Sequence, residues 1–476
     1  GETEHGFEKL NPVTTCADCH QPQMKAFTGS VHAVSVDEEK PNAASCIACH
    51  GSHNILAVAD SQSPVSRPNV TEATCARCHD AEVLSPVRGV PRNFVADYRR
   101  SFHGLSAALG DRRVANCASC HSYHAVLPSG NPRSTVHEKN LVQTCSVCHT
   151  EAKATFSTGG VHYNPDTTGF RIVDFVRVMY LMMITLAVSL MFLHNAIDFG
   201  GRLRDRFRQR KEREKSAVNE KIQVQPLPSE GDVPIEAESA SGSTKAEYLR
   251  FTISERIQHW TLAASFIVLA LTGFALKYTW QIPFLESQQG ALVRGFLHRG
   301  AAITFIVLSA YHLFYLVFTR LGRDNFRALV PRLRSVKDLI CRCAACFRLG
   351  PPTAADWQNL IQTVKYNLGL AATRPPMGKF TYAEKMEYYG LIWGSAVMIV
   401  TGLILWFETQ FLNRFQYWVF ELATVVHYYE AVLATLSIFV WHFYFTIYNP
   451  RVFPLSRAMI TGEISREEME IDHALE

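Results

Sequence analysis

The chain has 476 residues, 47 % of them apolar and 19 % charged. That excludes a disordered or collagen-like chain and a small disulfide-stapled scaffold. Its 47 Lys and Arg against 43 Asp and Glu leave a net charge of +4, so nucleic acid is not an expected partner. The average hides two unlike halves. Residues 1–170 are polar and rich in Cys and His, whereas residues 175–450 carry five long apolar runs, so a wholly soluble protein is not expected.

Ten of the 13 Cys fall into five copies of Cys-x-x-Cys-His. The first is Cys16, Cys19 and His20; the second Cys46, Cys49 and His50; the third Cys75, Cys78 and His79. The fourth is Cys117, Cys120 and His121, and the fifth Cys145, Cys148 and His149. This is the attachment pattern of c-type haem. Two thiols add to the two vinyl groups of one porphyrin, and the adjacent His falls beneath the iron as an axial ligand. Disulfides or zinc sites would not require a His after every pair. Five haem c are expected, in a domain outside the cytoplasm, because attachment occurs there. A first residue that is Gly rather than Met fits a removed signal peptide or a trimmed chain equally.

Candidates for the sixth ligands are His32, His53, His103, His124, His137 and His162, with His5 a seventh. Seven candidates for five irons predict mostly bis-His, low-spin haems suited to electron transfer. Which His serves which haem stays open. Few long apolar runs occur before residue 168, so the porphyrins must supply much of the buried surface. With 14 Lys and Arg against 16 Asp and Glu, residues 1–168 are mildly acidic, which would suit a basic redox partner.

Uncharged stretches at 178–197, 257–276, 300–319, 388–407 and 431–448 are long enough to span a bilayer. Positions 200–250 hold 11 Lys and Arg and positions 320–385 hold 12, whereas 279–293 have none and 408–420 one. The basic loops are therefore expected in the cytoplasm, with the N-terminal domain on the periplasmic side of the inner membrane and the C-terminus inside. The basic run at 202–215 reads as a topogenic signal, with a lipid or partner site the alternative. Residues 216–247 read as a flexible linker, followed by a capping box, Thr252 with Glu255. The expected class is mostly α: a haem-packed multihaem cytochrome c domain with little regular structure, plus five transmembrane helices including a four-helix cytochrome b bundle. Its divisions are 1–168, the pentahaem domain; 169–200, the first membrane helix; 201–250, a basic then disordered linker; 251–450, the di-haem bundle with a cytoplasmic loop at 321–381; and 451–476, a cytoplasmic tail.

Ionisable residues inside membrane spans are functional candidates. His259, His298, His312, His427 and His442 form such a set. His427 and His442 are 15 residues apart, about 22 Å along a helix, and return to nearly one face. Two stacked haem b are expected, each between two His of facing helices. Thr272-Gly273 and Thr401-Gly402 allow close approach of a porphyrin or of another helix. His194, at the inner end of the first span, reads as structural or as a neighbour of the inner haem or a quinone.

Residues 250–470 resemble the four-helix cytochrome b subunit of membrane formate dehydrogenases and nickel-iron hydrogenases. The resemblance rests on Glu255-Arg256-Ile257-Gln258-His259-Trp260, Thr272-Gly273, Leu297-His298, Gly378-Lys379-Phe380 with Glu384-Lys385, Val426-His427, Trp441-His442-Phe443-Tyr444, and the tail from Met459 to Ser465. It implies an outer haem b on His298 and His427 and an inner one on His259 and His442, with His312 the rival to His259. It also implies a quinone, menaquinone or ubiquinone, beside the inner haem. Where the family has a Gly-Lys-Tyr-Asn-like segment, this chain has Thr381, whose hydroxyl could bond a quinone carbonyl. Glu384 could carry protons or simply favour a helix start, and His442 could serve as both ligand and quinone neighbour.

The N-terminal half resembles multihaem cytochromes c with bis-His sites. The fusion is similar to the menaquinol-oxidising multihaem cytochromes of metal-respiring bacteria. The implied function is oxidation of quinol near the inner haem b and delivery of electrons through two b and five c haems to an extracytoplasmic acceptor. The alternatives are a non-catalytic membrane anchor and wire within a larger respiratory complex, or reverse flow that reduces quinone from an external donor. Expected partners are the quinone pool, the lipid bilayer and an external redox protein or further subunits. Cys341, Cys343 and Cys346 are three ligands and do not complete a four-Cys site. Free thiols are expected there, with metal binding through a fourth ligand or acylation as alternatives.

Overall fold

A computed structural model describes residues 12–37, 44–80, 94–154, 162, 168–223, 247–278, 287–329 and 354–475. His5, most of the expected linker and the three cysteines Cys341, Cys343 and Cys346 lie outside the described residues. Among the described residues, five helices are long and apolar enough to cross a membrane. They are α1 (Thr168–Gln223), α2 (Ile253–Lys277), α3 (Gln288–Phe318), α4 (Tyr382–Trp406) and α5 (Tyr417–Ser437). The architecture is mostly α, as the sequence predicts.

The chain divides into two compact units. One comprises residues 1–177, 268–300 and 401–425, and the other 178–267, 301–400 and 426–476. Each long helix lends one end to each unit.

In the first unit, residues 12–154 form short helices, several of them carrying the cysteine motifs, joined by turns. The buried apolar residues here are mostly small: Val13, Ala33, Val65, Val70, Ala76, Val95 and Ala118, with Tyr98 and Leu109 the large exceptions. Polar side chains hold the turns instead. Arg67 donates to the carbonyls of Arg112 and Arg113, and Asn116 caps the Cys117–His121 helix through the Ser119 amide.

In the second unit, α1 continues as helix well past its apolar stretch to Gln223, about 84 Å in all. The sequence reading placed a linker from 216. Arg, Lys and Glu are good helix formers, and Arg208–Glu212 and Arg210–Glu214 pair one turn apart. The helix start at α2 carries the expected capping box: the Glu255 carboxylate accepts from the Thr252 amide, and the Glu255 amide donates back to the Thr252 hydroxyl. Strands β1 (Glu247–Leu249) and β2 (Glu463–Ser465) pair antiparallel, so the tail folds back onto the start of the bundle. Gly462 permits this return. Its φ is +92°, and a side chain there would strike the Phe251 carbonyl. Past Ser437, α5 widens into π-helical turns at Ile438–His442 and Tyr444–Tyr448, a distortion that often marks functional positions. Met377, Tyr382, Ala383 and Trp441 form a buried cluster, with Met191 of α1 packed against it.

Candidate functional site

Each cysteine motif places its two thiols three residues apart and its His one further on, which is one face of a helical turn. The motifs fall on or against short helices: Pro12–Ala17, Cys46–His50, Ala76–His79, Cys117–His121 and Leu141–Ser146. None of the ten thiols is in a disulfide. Among the described residues, no three His, Cys, Asp or Glu side chains converge as a bare metal ion would need.

The ten thiols differ in their local setting. Cys19 and Cys148 are exposed, and both lie in the turn that follows their helices rather than on them. Cys78 is on its helix and half-buried, as are Cys49 and Cys120. The helices at Pro12–Ala17 and Leu141–Ser146 end before the second thiol of the motif. A thioether forms at the porphyrin edge, so its sulfur need not be enclosed by protein. Cys49 and Cys120 are more enclosed than Cys19 and Cys148, and burial raises both thiols, Cys120 to about 11. Cys78 lies near enough to Cys49, and Cys148 to Cys120, to add to that rise.

Four motif histidines each face a second imidazole. His79 faces His32, His50 faces His124, His149 faces His103 and His121 faces His162, and in all four pairs the ring centroids are 6.3 Å apart. An iron held between two imidazoles by bonds of about 2 Å puts the ring centroids roughly 6 Å apart. The gap is too wide for ring stacking and fits a porphyrin plane. Burial pushes His50, His103, His121, His149 and His162 towards lower pKa, which keeps them in the neutral form that binds metal. His53 is not brought to a motif histidine; its Nδ1 hydrogen-bonds the Ser52 hydroxyl. His137 instead accepts the Lys139 amide at Nδ1. His20 has no such partner among the described residues.

Neighbouring motifs are also placed together. The Pro12–Ala17 helix packs against Cys46–His50, and Cys117–His121 packs against Val70–Cys75. The Cys75 and Cys117 thiols lie within hydrogen-bonding reach of each other.

In the bundle, His259 of α2 faces His442, their ring centroids 6.1 Å apart. The His442 Nδ1 hydrogen-bonds the Glu387 carboxylate of α4, leaving Nε2 available. The rival, His312, has both ring nitrogens occupied, Nδ1 by the Gln258 side chain at 2.8 Å and Nε2 by the Tyr388 hydroxyl at 2.8 Å. His298 Nδ1 hydrogen-bonds the Thr272 hydroxyl at 2.8 Å, and a side chain on Gly273 would lie 3.5 Å from the His298 ring. Thr272-Gly273 thus orients an imidazole as well as permitting close approach. His427 is on α5, half-buried.

Thr381 and Glu384 form a capping box at the start of α4, with the Thr381 amide donating to Glu384 and the Glu384 amide to Thr381. Arg250 also pairs with Glu384 at 3.2 Å. Their hydrogen-bonding capacity is spent largely on the helix terminus. His194 Nε2 hydrogen-bonds the Tyr382 hydroxyl at 2.9 Å, and its ring lies 4.8 Å from Trp441, the neighbour of His442.

The sequence reading missed Glu387. Its signal was there: it is three residues beyond Glu384, one place before the uncharged stretch of α4, and so fell just outside the search for intramembrane charges. Also missed was a buried polar network, in which the Asp198 carboxylate accepts from Arg202 at 2.6 Å, Tyr444 at 2.8 Å and Asn367 at 2.9 Å.

Paired imidazoles at porphyrin spacing, on cysteine motifs and across a helical bundle, define the geometry of a membrane cytochrome. Comparison with known proteins agrees. Residues 250–462 match the family described as prokaryotic cytochrome b561. The N-terminal region is similar to the cytochrome c-type protein NrfB of Escherichia coli O6:H1, 24 % identical over 152 residues, which is 31 % of this chain and 70 % of that protein. The chain is thus a multi-pass membrane protein that joins a c-type-cytochrome-like region to a b561-like one.

Proposed function

We propose that this chain oxidises a quinol, menaquinol by the resemblance above, near the inner end of its bundle and passes electrons outward through two haem b and five haem c to an extracytoplasmic acceptor. The observation that carries the reading is one ring spacing found five times, in four pairs on cysteine motifs and in His259–His442. The assigned c-haem ligand pairs are His79 with His32, His50 with His124, His149 with His103 and His121 with His162, and His20 holds the first haem. All ten motif cysteines serve as attachment points, the exposed Cys19 and Cys148 and the half-buried Cys78 included. His259 and His442 hold the inner haem b, and His298 and His427 the outer.

The haems, when bound, would supply one-electron redox centres, held by the histidines named above. The protein's part is to orient and to exclude. Glu387 fixes the tautomer and plane of His442, and Thr272 fixes those of His298. A quinol gives up two electrons and two protons. The His194–Tyr382 pair, beside Trp441, is a group able to receive a proton at His194, and Glu387 is a second. With the N-terminal domain outside and the basic loops inside, electrons leave the cytoplasmic side and protons can return to it.

The test is the full chain purified alone with its haems. A quinol analogue should reduce the b-type and then the c-type absorption bands. Reduction only after further subunits are added would refute this reading and leave an anchor subunit in its place.

A further inference from the structure

The electron-transfer reading does not say which of the five motifs in the N-terminal domain meets the bundle. We propose that it is the fifth, that of Cys145, Cys148 and His149, and that Asn413 is the positioning residue that sets this junction. The inference rests on the function proposed above, and its geometry lies wholly within the first compact unit.

Just past His149 the chain turns, with the Ala152 amide donating to the His149 carbonyl at 2.9 Å. The next residues are then clasped from outside. The Lys153 amide donates to the Asn413 side-chain oxygen at 2.8 Å, and the Asn413 side-chain nitrogen donates to the Glu151 carbonyl at 2.8 Å. Both halves of one amide are used on one short stretch of backbone, which fixes orientation as well as contact. Asn413 is itself held firmly. It follows the short helix Glu408–Leu412, its amide bonds the Thr409 carbonyl at 3.1 Å, and Leu412 is only 2 % exposed.

That short helix continues directly from the end of α4. Trp406, the last residue of α4, lies under the Arg299 guanidinium at 5.5 Å, and Arg299 follows His298, the assigned outer-haem ligand. A continuous series of contacts therefore runs from His298 through Arg299, Trp406 and the 408–412 helix to Asn413, and from there to the residues that follow His149. Each crossing moves one electron. His298 would hold the electron donor and Cys145, Cys148 and His149 the acceptor, with no proton or bond change at either. Quinol supplies the electrons, two per molecule. The fifth motif is then the entry to the c-type domain.

Two arms test this on the full haem-loaded chain. In the first, hydrogen exchange of the peptide covering 150–154 is compared between the parent and Asn413→Ala. Loss of the side-chain acceptor should speed exchange there about fivefold, the value of one hydrogen bond, with the haem count unchanged. Unaltered exchange would overturn the clasp. In the second arm, quinol-driven reduction is followed at the b and c bands. Asn413→Ala should leave b-haem reduction at the parental rate and slow c-haem reduction. The double variant Cys145→Ala with Cys148→Ala should abolish transfer to the four remaining c-haems. Transfer to them at the parental rate would overturn the proposal. Should the fifth-motif variant not mature, Asn413→Ala still decides. Failure of quinol to reduce any haem of the parent would refute the function reading instead, and the exchange arm needs no quinol.

Discussion

Replacement of Glu387 by Gln isolates the electrostatic role of a single residue. The Glu387 carboxylate accepts from His442 Nδ1, and the side chains are 36 % and 28 % exposed respectively. Gln retains an acceptor of similar shape but removes the charge. Hydrogen bonds to charged groups contribute roughly 1.5–3 kcal/mol against about 0.5–1.5 kcal/mol for neutral ones. Partial exposure favours the lower end, so the substitution removes about 1 kcal/mol. The ferric state carries one more positive charge than the ferrous, and a carboxylate on the axial imidazole favours it. If the whole difference bears on that state, the inner haem b midpoint rises by up to about 40 mV, since 59 mV is tenfold for a one-electron couple. Spectroelectrochemical titration of the full chain resolves this, with the c-haem midpoints as internal control. A b-haem midpoint that stays put or falls, while the b spectrum is intact, would refute the argument that Glu387 acts through its charge on His442.

His259→Leu should remove the inner b-haem signal and leave the c-haem content unchanged, whereas His312→Leu should retain both b-haems at some cost in stability, because both His312 nitrogens serve hydrogen bonds. Optical spectra with a haem count check this. Among the c-haems, His124→Ala should convert one low-spin centre to high-spin while attachment through Cys46 and Cys49 persists, and His53→Ala and His137→Ala should leave the low-spin spectrum unaltered. Electron paramagnetic resonance reads the difference. Asp198→Ala should destabilise the membrane region by roughly 3–5 kcal/mol, because it leaves the Arg202 charge buried without its closest partner. A thermal melt in detergent that matches the parent would count against that network.

Local chemistry made much of this protein legible. The Cys-x-x-Cys-His spacing carries its own ligand, and the membrane helices follow from uncharged length and the placement of Arg and Lys. Spacing did not reveal that Cys19 and Cys148 fall beyond their helices while Cys78 stays on its own, since that depends on where each helix ends. Nor could the sequence show partnership across distance. His32 lies nearest its own motif in sequence at His20, yet it faces His79; His124, three residues from His121, faces His50. Adjacent positions on one short helix cannot reach both sides of a porphyrin, so the second ligand must come from elsewhere. The choice between His259 and His312 was equally closed to spacing, because both are at the inner level of the bundle. Gln258 and Tyr388 favour His259 by occupying the His312 nitrogens, and that is a matter of packing.

The same logic accounts for the thin core. Ala and Val dominate the buried apolar set in residues 12–154, and such side chains bury too little surface to offset the chain entropy of so many turns. The four imidazole pairs each join segments distant in sequence: residue 32 to 79, 50 to 124, 103 to 149, and 121 to 162. These ties interlock, since the span from 50 to 124 overlaps the other three. A group seated in any one pair therefore constrains loops that the others also close. On the proposed function, redox chain and structural core are one set of residues, and the spacing that would let electrons pass would also hold this part of the polypeptide together.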